Sequence, residues 1–420
     1  CHYALPTVLS KIFNLMIGLR KGYVPQTFCL SYTVPLLKGN CSVHSKTLSA
    51  NDFRGISISP IISKIFEHCI LHRYDMFFTS SDNQFGFKKR SGCMHAIHTF
   101  RSTVDYYVTR SSTVNVCSLD LSKAFDKMNH YGLFVKLMDR RIPVNLLKVL
   151  ELWFTSSATC VKWGTFFSSF YRLSCGVRQG GVLSPYLFAI YLDSVIEKVK
   201  NSKSGHQINW SYVGILAYAD DILLIAPTVM SLQTLVTICE KELQELDMPI
   251  NATKSACIRI GPAWKTHVSN IETCDGSIIA WQNDIKYLGV NIIASSGFAC
   301  SLENAKRNFY RAFNSIYGKV GGIASEEVLL HLFRSKCLPL LLYGSEVCPL
   351  KKSQLRSLDY VITNCFMKVF KTRSKDIVLE CMAYFNFPAF EILVEARRRK
   401  FLRNYKRYHR SNLVCCIFSC

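Results

Sequence analysis

The stretch YVGILAYADDILLIA, residues 212–226, consists of two apolar runs that meet at Asp220 and Asp221. That pattern predicts a β-hairpin with a pair of carboxylates at its turn. A second β-rich run, Thr113 to Leu119, ends at Asp120 within NVCSLDLSKAFD (115–126). Two strands that each deliver a carboxylate at the same height can hold two Mg²⁺ ions roughly 3.5–4 Å apart, the arrangement used for in-line phosphoryl transfer. Mg²⁺ needs only one or two protein carboxylates per ion, because substrate phosphates and water complete its shell. Taken alone, an aromatic-x-Asp-Asp string is also an ordinary polar turn, where Asp is common.

Outward from this pair, both flanks alternate helical and extended patterns. Toward the C-terminus, a helix is predicted over Ser231 to Leu246, then short strands at Ala256–Ile260 and Ile285–Ile292. Beyond residue 300 the apolar spacing is helical, with Ser301, Ser325 and Ser353 as candidate N-caps. Toward the N-terminus, Ser184-Pro185 opens a strong helical stripe, residues 159–178 read as a hairpin containing Lys162, Trp163 and Gly164, and 131–154 as helices broken at Pro143. Earlier still come a helix over 7–19, an extended segment from Phe28 to Leu37, a polar loop from Lys38 to Asn51, and a helix after Ser59-Pro60. The fold class expected is α+β: a mixed body followed by a helical lobe.

The chain has 420 residues, 49% hydrophobic and 19% charged, which excludes wholesale disorder. Lys and Arg total 51 against 29 Asp and Glu, a net charge of +22 that favours a polyanionic partner, nucleic acid or a membrane surface. The 19 cysteines include no C-x-x-C, and only Cys416 and Cys420 stand at C-x-x-x-C spacing, so reduced, mostly buried thiols are expected in an intracellular setting. The most apolar run, Cys337–Tyr343, is seven residues long and contains Pro339, against roughly 20 needed to span a bilayer. The expectation is a soluble protein without a membrane partner.

Further segments fall in a recurring order. GYVPQTFCLSYTVPLLK (22–38), FRGISISPIISKIFEHCILHRY (53–74), DNQFGFKKRSG (82–92), LDLSKAFDKMNH (119–130), GVRQGGVLSP (176–185), YADD (218–221), NATKS (251–255), YLGV (287–290) and LPLLLYGSEV (338–347) resemble, motif by motif, the reverse-transcriptase domain of non-long-terminal-repeat, LINE-type retrotransposons, most similar to the jockey-like branch. The resemblance runs from about Gly22 to Glu346. It implies a right-hand polymerase with fingers, a palm with an antiparallel sheet, and a helical thumb. The division expected is 1–113 for the N-terminal helix and fingers, 114–292 for the palm with an insertion at about 131–168, 293–375 for the thumb and post-thumb, and 376–420 for a basic tail. The activity implied is RNA-directed DNA synthesis, extending a DNA primer 3′-OH with dNTPs on an RNA template, with Mg²⁺ or Mn²⁺.

The same resemblance carries roles onto single residues. Asp120, Asp220 and Asp221 fall on the catalytic acids, with Asp120 and Asp220 as direct metal ligands, Leu121 adding its carbonyl, and Asp221 more peripheral because successive strand side chains alternate. Phe125 stands at the gate position that excludes a 2′-OH. Gln179, Gly180 and Tyr218 would line the nucleotide pocket, and Arg54 and Lys38 would reach the triphosphate. Lys254 would donate a proton to pyrophosphate or stabilise its charge. Tyr287, Leu288 and Gly289 resemble the primer grip, although apolar packing explains Tyr287 and Leu288 almost as well. Arg178 reads as a phosphate contact or a surface pair. In EARRRKFLRNYKRYHR (395–410), eight Lys or Arg alternate with Phe401, Tyr405 and Tyr408, a pattern that suits either base stacking or a helix docked by its aromatic face.

Full elements of this type carry an endonuclease ahead of the polymerase, and the chain is expected to lack one and so to be unable to nick target DNA. The ending VCCIFSC (414–420) matches no motif. Two other readings stay open: a group II intron-type reverse transcriptase, and a catalytically silent nucleic-acid-binding remnant. The setting expected is nuclear and cytoplasmic.

Overall fold

The computed structural model describes residues 4–19, 22–38, 48–122, 124–208 and 211–408. The VCCIFSC segment, loop residues 39–47 and the Tyr408 side chain lie outside the described residues. In chain order the elements are α1 (Ala4–Gly18), α2 (Gln26–Cys29), β1 (Leu30–Leu37), β2 (Phe53–Ile58), α3 (Ile61–Arg73), α4 (Cys93–Val108) and β3 (Val114–Leu119). Next come α5 (Ala124–Lys127), α6 (His130–Asp139), α7 (Val144–Thr155), β4 (Ala158–Trp163), β5 (Phe166–Phe167), β6 (Tyr171–Arg172) and α8 (Ser184–Asn201). They are followed by β7 (Gln207–Ile208), β8 (Ser211–Tyr212), β9 (Ile215–Tyr218), β10 (Asp221–Ala226), α9 (Val229–Glu245) and β11 (Ala256–Ile260). The C-terminal third holds β12 (Ile271–Glu272), β13 (Ile278–Ile279), β14 (Asp284–Tyr287), β15 (Val290–Ile293), β16 (Ala299–Ser301), α10 (Glu303–Val320), α11 (Glu326–Leu332), α12 (Leu338–Leu341), α13 (Lys352–Val369), α14 (Lys375–Tyr384) and α15 (Phe390–Tyr408). The chain is therefore α+β.

Contacts divide the chain into two compact units, each discontinuous in sequence. The first collects residues 1–87, 120–202 and 237–251; the second collects 88–119, 203–236 and 252–420.

In the first unit, β1 pairs antiparallel with β2 and parallel with β4, and β4 carries both β5 and β6. Beside this sheet, Phe13, Phe28, Phe66 and Trp153 pack as one aromatic cluster, with Phe66 stacked 5.7 Å from Trp153. Burial of such rings dominates the energetics of a core. Helix α8 starts with Pro185 in its first turn and is buried along most of its length, from Leu187 to Val199. Pro there sacrifices no helical hydrogen bond, which is why Ser184-Pro185 marks the start so cleanly.

In the second unit, β11, β3, β10 and β9 form an antiparallel sheet in that order. After Asp221 every residue of β10 is buried, as expected of a strand covered on both faces. Helices α10 to α15 close around Phe309, Phe333, Phe366 and Phe387. The predicted strand Ile285–Ile292 proves to be two, β14 and β15, because Leu288 (φ +46°) and Gly289 (φ +84°) make a left-handed two-residue turn. Helix α13 starts before Ser353: its N-cap is Lys351, whose N–H donates to the Gln354 side chain at 2.9 Å.

Candidate active site

Strands β9 and β10 pair from Tyr218 opposite Asp221, so Ala219 and Asp220 are the two residues of a tight turn. Ala219 takes a positive φ of 56° to make it. Because β3 is antiparallel to β10, with Leu119 opposite Ile222, its C-terminal end lies at the same sheet edge as this turn. Asp120 is the next residue in the chain after Leu119. Asp220 and Asp120 are half-buried and Asp221 is exposed. Among the described residues no three His, Cys, Asp or Glu side chains are grouped as a ready-made metal cage. Carboxylate oxygen is the donor type that a hard divalent ion takes, one or two per ion, with substrate and water completing the shell.

The segment after Asp120 is anchored by backbone. Leu121 bridges antiparallel to Ile250, through the Asn251 N–H to the Asp120 carbonyl (2.9 Å) and the Ser122 N–H to the Pro249 carbonyl (3.3 Å). This pairing does not use the Leu121 carbonyl. Lys254 is exposed in the turn that leads to β11.

In the second unit, Tyr218 sits beside Cys93 at the start of α4, and burial together with that thiol pushes its hydroxyl up to about 12. Tyr287 is fully buried; burial first, and the Asp221 carboxylate next, raise its pKa, and its hydroxyl has no hydrogen-bond partner among the described residues. The turn at Leu288 and Gly289 is held from outside its own hairpin: the Tyr343 hydroxyl donates to the Leu288 carbonyl at 2.8 Å. Tyr287, Leu288 and Gly289 thus share one sheet corner with Tyr343, which comes from the LPLLLYGSEV segment.

In the first unit, the Phe125 ring is stacked on Phe188 at 4.2 Å, with the edge of Phe87 at 6.2 Å. The Gln179 side-chain amide donates to Asp126 at 3.0 Å, and its backbone carbonyl accepts the Ser57 N–H at 2.7 Å. Gly180, at φ +126°, has no room for a side chain, since a Cβ would lie 2.4 Å from the Ser57 carbonyl oxygen. The RQGG loop is therefore locked onto β2, the strand that carries Arg54, which is exposed. Lys38 is exposed too and donates to the Asn51 carbonyl at 2.6 Å.

Arg178 behaves differently from both sequence readings. Its guanidinium donates to the carbonyls of Phe28 (3.2 Å) and Cys29 and to the Ser157 hydroxyl (2.9 Å), so it is an internal tie. Burial lowers its pKa, and Glu67 is the nearby carboxylate that works against this. Sequence reasoning missed Glu67. It accepts the N–H groups of Val182 and Leu183 (2.8 Å) where α8 begins. Its signal was a lone acid inside the apolar helical stripe of α3.

The basic C-terminal helix docks by its aromatic face. Phe401 and Tyr405 pack on His95 and His98 of α4, with Tyr405 stacked 5.6 Å from His95. Those two rings are engaged inside the protein, leaving Arg398, Arg399, Lys400 and Arg403 exposed.

The family described as "Reverse transcriptase (RNA-dependent DNA polymerase)" matches residues 41–292, well over half of the chain. The chain belongs to the reverse transcriptase family. Among curated proteins it is similar to the "Retrovirus-related Pol polyprotein from type-2 retrotransposable element R2DM" of Drosophila melanogaster, 25% identical over 70% of this chain and 28% of that protein. It is also similar to the "RNA-directed DNA polymerase from mobile element jockey" of Drosophila funebris, 25% identical over 72% of this chain and 32% of that protein. These relatives are polymerases of non-long-terminal-repeat retrotransposons, a group to which R2 and jockey both belong. The chain spans about a quarter to a third of the length of the first of these relatives. Among solved structures, apo telomerase from Candida tropicalis aligns with a TM-score of 0.47 and 14% identity over 96% of this chain and 68% of that one. The RNA-dependent RNA polymerase of a human picorbirnavirus aligns with a TM-score of 0.45 and 12% identity, over 88% of this chain and 65% of that one. Members of the reverse transcriptase family use divalent metal ions. Among the described residues, no helix is long and apolar enough to cross a membrane.

Proposed function

We propose that the chain is the polymerising part of a non-long-terminal-repeat retrotransposon protein: it copies RNA into DNA by extending a primer 3′-OH with dNTPs. The observation that carries this reading is the β9–β10 hairpin, whose turn sets Asp220 and Asp221 at the sheet edge where β3 ends, inside the segment that matches the family. Asp220 and Asp120 would hold Mg²⁺ with the Leu121 carbonyl, and Asp221 would add negative charge at the edge of the site. When bound, the metal lowers the pKa of the primer hydroxyl and neutralises developing phosphate charge.

The other residues then have positioning tasks. Arg54 donates to the triphosphate and Lys38 adds charge. Phe125, held by Phe188, lies under the sugar and rejects a 2′-OH. Gln179 and Gly180 present backbone to the nascent pair, together with Tyr218. Lys254 stabilises or protonates pyrophosphate, and the turn at Tyr287, Leu288 and Gly289 supports the primer end. In this reading residues 1–113 serve as fingers, 114–292 as palm and 293–375 as thumb.

The test is extension of a labelled DNA primer on an RNA template with Mg²⁺ and dNTPs. Full-length product from the wild type, and a loss of at least about a thousand-fold in Asp220→Asn, is the expected result for removal of a metal-binding carboxylate. A folded, RNA-binding wild type that adds no nucleotide would overturn the reading in favour of a binding remnant.

A further inference from the structure

The sheet of the first unit carries a surface that polymerisation chemistry does not use. Between residues 163 and 171 five aromatic side chains are exposed: Trp163 (59%), Phe166 (76%), Phe167 (57%), Phe170 (57%) and Tyr171 (48%). Apolar exposure this dense marks an interaction site more often than free surface.

The residues around the rings narrow the choice of partner. KWGTFFSSFYR (162–172) contains no aliphatic residue and no acid, and its spacers are Gly164, Thr165, Ser168 and Ser169. None of the strands β1, β2, β4, β5 or β6 contains an Asp or Glu. Their cations are Arg54, Lys162 and Arg172. Strand register puts Tyr32, Lys162 and Phe167 on one face, through Tyr32 opposite Cys160 and Lys162 opposite Phe167. There the Lys162 ammonium lies 5.3 Å from the Tyr32 ring and 5.4 Å from the Phe167 ring, a cation held between two π surfaces. On the opposite face Trp163 pairs with Phe166 and meets the edge of Phe53 at 5.5 Å. The hairpin is pre-organised, because Ser168 ties its N–H to the Val161 carbonyl (2.9 Å) and its hydroxyl to the Val161 N–H (2.9 Å).

We propose that the β4–β6 hairpin is a binding surface for single-stranded nucleic acid, its rings stacking on unpaired bases while Lys162 and Arg172 meet the phosphates. Every base offers a π face, and in a duplex those faces are covered, so exposed rings beside cations on an acid-free sheet fit an unpaired strand. Exposed Leu36 and Ile58 lie on the Tyr32 face of the same sheet, so the choice of occupant rests on charge: the strands carry three cations and no acid. RNA and DNA single strands share this chemistry. The surface goes beyond the polymerase reading and needs neither metal nor nucleotide.

The test measures binding in chelator, without dNTPs, to a labelled single-stranded RNA, a DNA strand of the same sequence, and the corresponding duplex. The triple variant Trp163→Ala, Phe166→Ala, Phe167→Ala is expected to lose on the order of ten-fold or more in single-strand affinity and nothing for the duplex. Equal loss for RNA and DNA assigns the shared chemistry, and loss for RNA alone assigns an RNA occupant. Lys162→Gln with Arg172→Gln should flatten the salt dependence of single-strand binding by about 1.4 in log–log slope. Trp163→Phe, which keeps a ring, should retain affinity but lose part of the oligonucleotide-induced fluorescence quench. The proposal is overturned if a triple variant with wild-type melting binds single strands as tightly as wild type, or loses duplex binding equally. Dissociation of a wild-type dimer by the same three changes would overturn it too, since the patch would then be a contact between copies.

Discussion

The rings of Phe125 and Phe188 lie 4.2 Å apart with their planes inclined by 17°. Phe188 is wholly buried in α8 and Phe125 is half-buried, so the second ring has a rigid floor and one exposed side. With Phe87 edge-on at 6.2 Å, rotation of Phe125 away from its place would open a gap on two sides.

This floor makes the gate testable at a residue that would not touch nucleotide. Phe125→Ala should raise incorporation of NTP relative to dNTP by about ten-fold or more. Phe188→Leu should relax the same discrimination by a smaller factor while leaving dNTP incorporation nearly intact. The check is the ratio of kcat/KM values for matched NTP and dNTP. Unchanged selectivity in Phe125→Ala would remove the gate from the proposal.

Glu67 lies under the start of α8 and is 6% exposed. Burial raises its pKa more than the Val182 and Leu183 N–H groups and Arg178 lower it. A carboxyl whose pKa rises on folding gives stability that is fully present below its ordinary value near 4.5 and is lost as pH climbs through the raised value. Glu67→Gln, which keeps an acceptor, should therefore gain on wild type in melting temperature as pH rises from about 4 upward. Glu67→Ala leaves two amides without their acceptor and the half-buried Arg178 guanidinium without a nearby countercharge, and should lose roughly 1–3 kcal/mol at neutral pH. Thermal melts across pH measure both.

The docking of α15 carries the opposite pH sign. His98 of α4 faces Phe401 and Tyr405, and its pKa is lowered to about 4 by burial first, then by Arg101, His95 and Arg398. The unfolded chain binds the proton more readily, so the stability is present above about 6.5 and is lost as pH falls toward 4. The expected effect is on the order of 3 kcal/mol over that interval. His98→Phe should remove most of it, and hydrogen exchange of the α15 amides between pH 7 and pH 4.5 would report it.

How much of this could be read in advance depended on whether the signal was local. The hairpin around Asp220 and Asp221 and the strand Ala256–Ile260 emerged where expected, because apolar runs broken by turn residues encode them within a few positions. The parallel pairing of β1 with β4 left no trace in the sequence, since Leu30 and Ala158 are far apart in the chain and neither run names its partner. Arg178 was opaque for a related reason: a charged side chain that ties backbone carbonyls looks in sequence like any surface charge, and the lone acid Glu67 in the apolar stripe of α3 did not name the amides it holds. For α15 the pattern of rings and cations fitted two outcomes, and the choice was made by His95 and His98 on another element.

The turn at Leu288 and Gly289 offers a comparison between a hydrogen bond and a backbone requirement at one point. Tyr343 donates to the Leu288 carbonyl at 2.8 Å, and its ring lies where a Cβ on Gly289 would come within 3.0 Å. Tyr343→Phe deletes only the hydroxyl and should lose about 1 kcal/mol of stability. Gly289→Ala meets both the ring and the strain of φ +84°, and should lose more, about 1–3 kcal/mol. If the turn supports the primer end, the two variants should also differ in kind. Tyr343→Phe would raise the KM for primer with little change in kcat, because the turn keeps its shape but loses an anchor. Gly289→Ala would lower kcat as well, because Tyr287 and the turn would be displaced together. Equal, purely thermal effects with unaltered primer KM would assign the corner to packing alone.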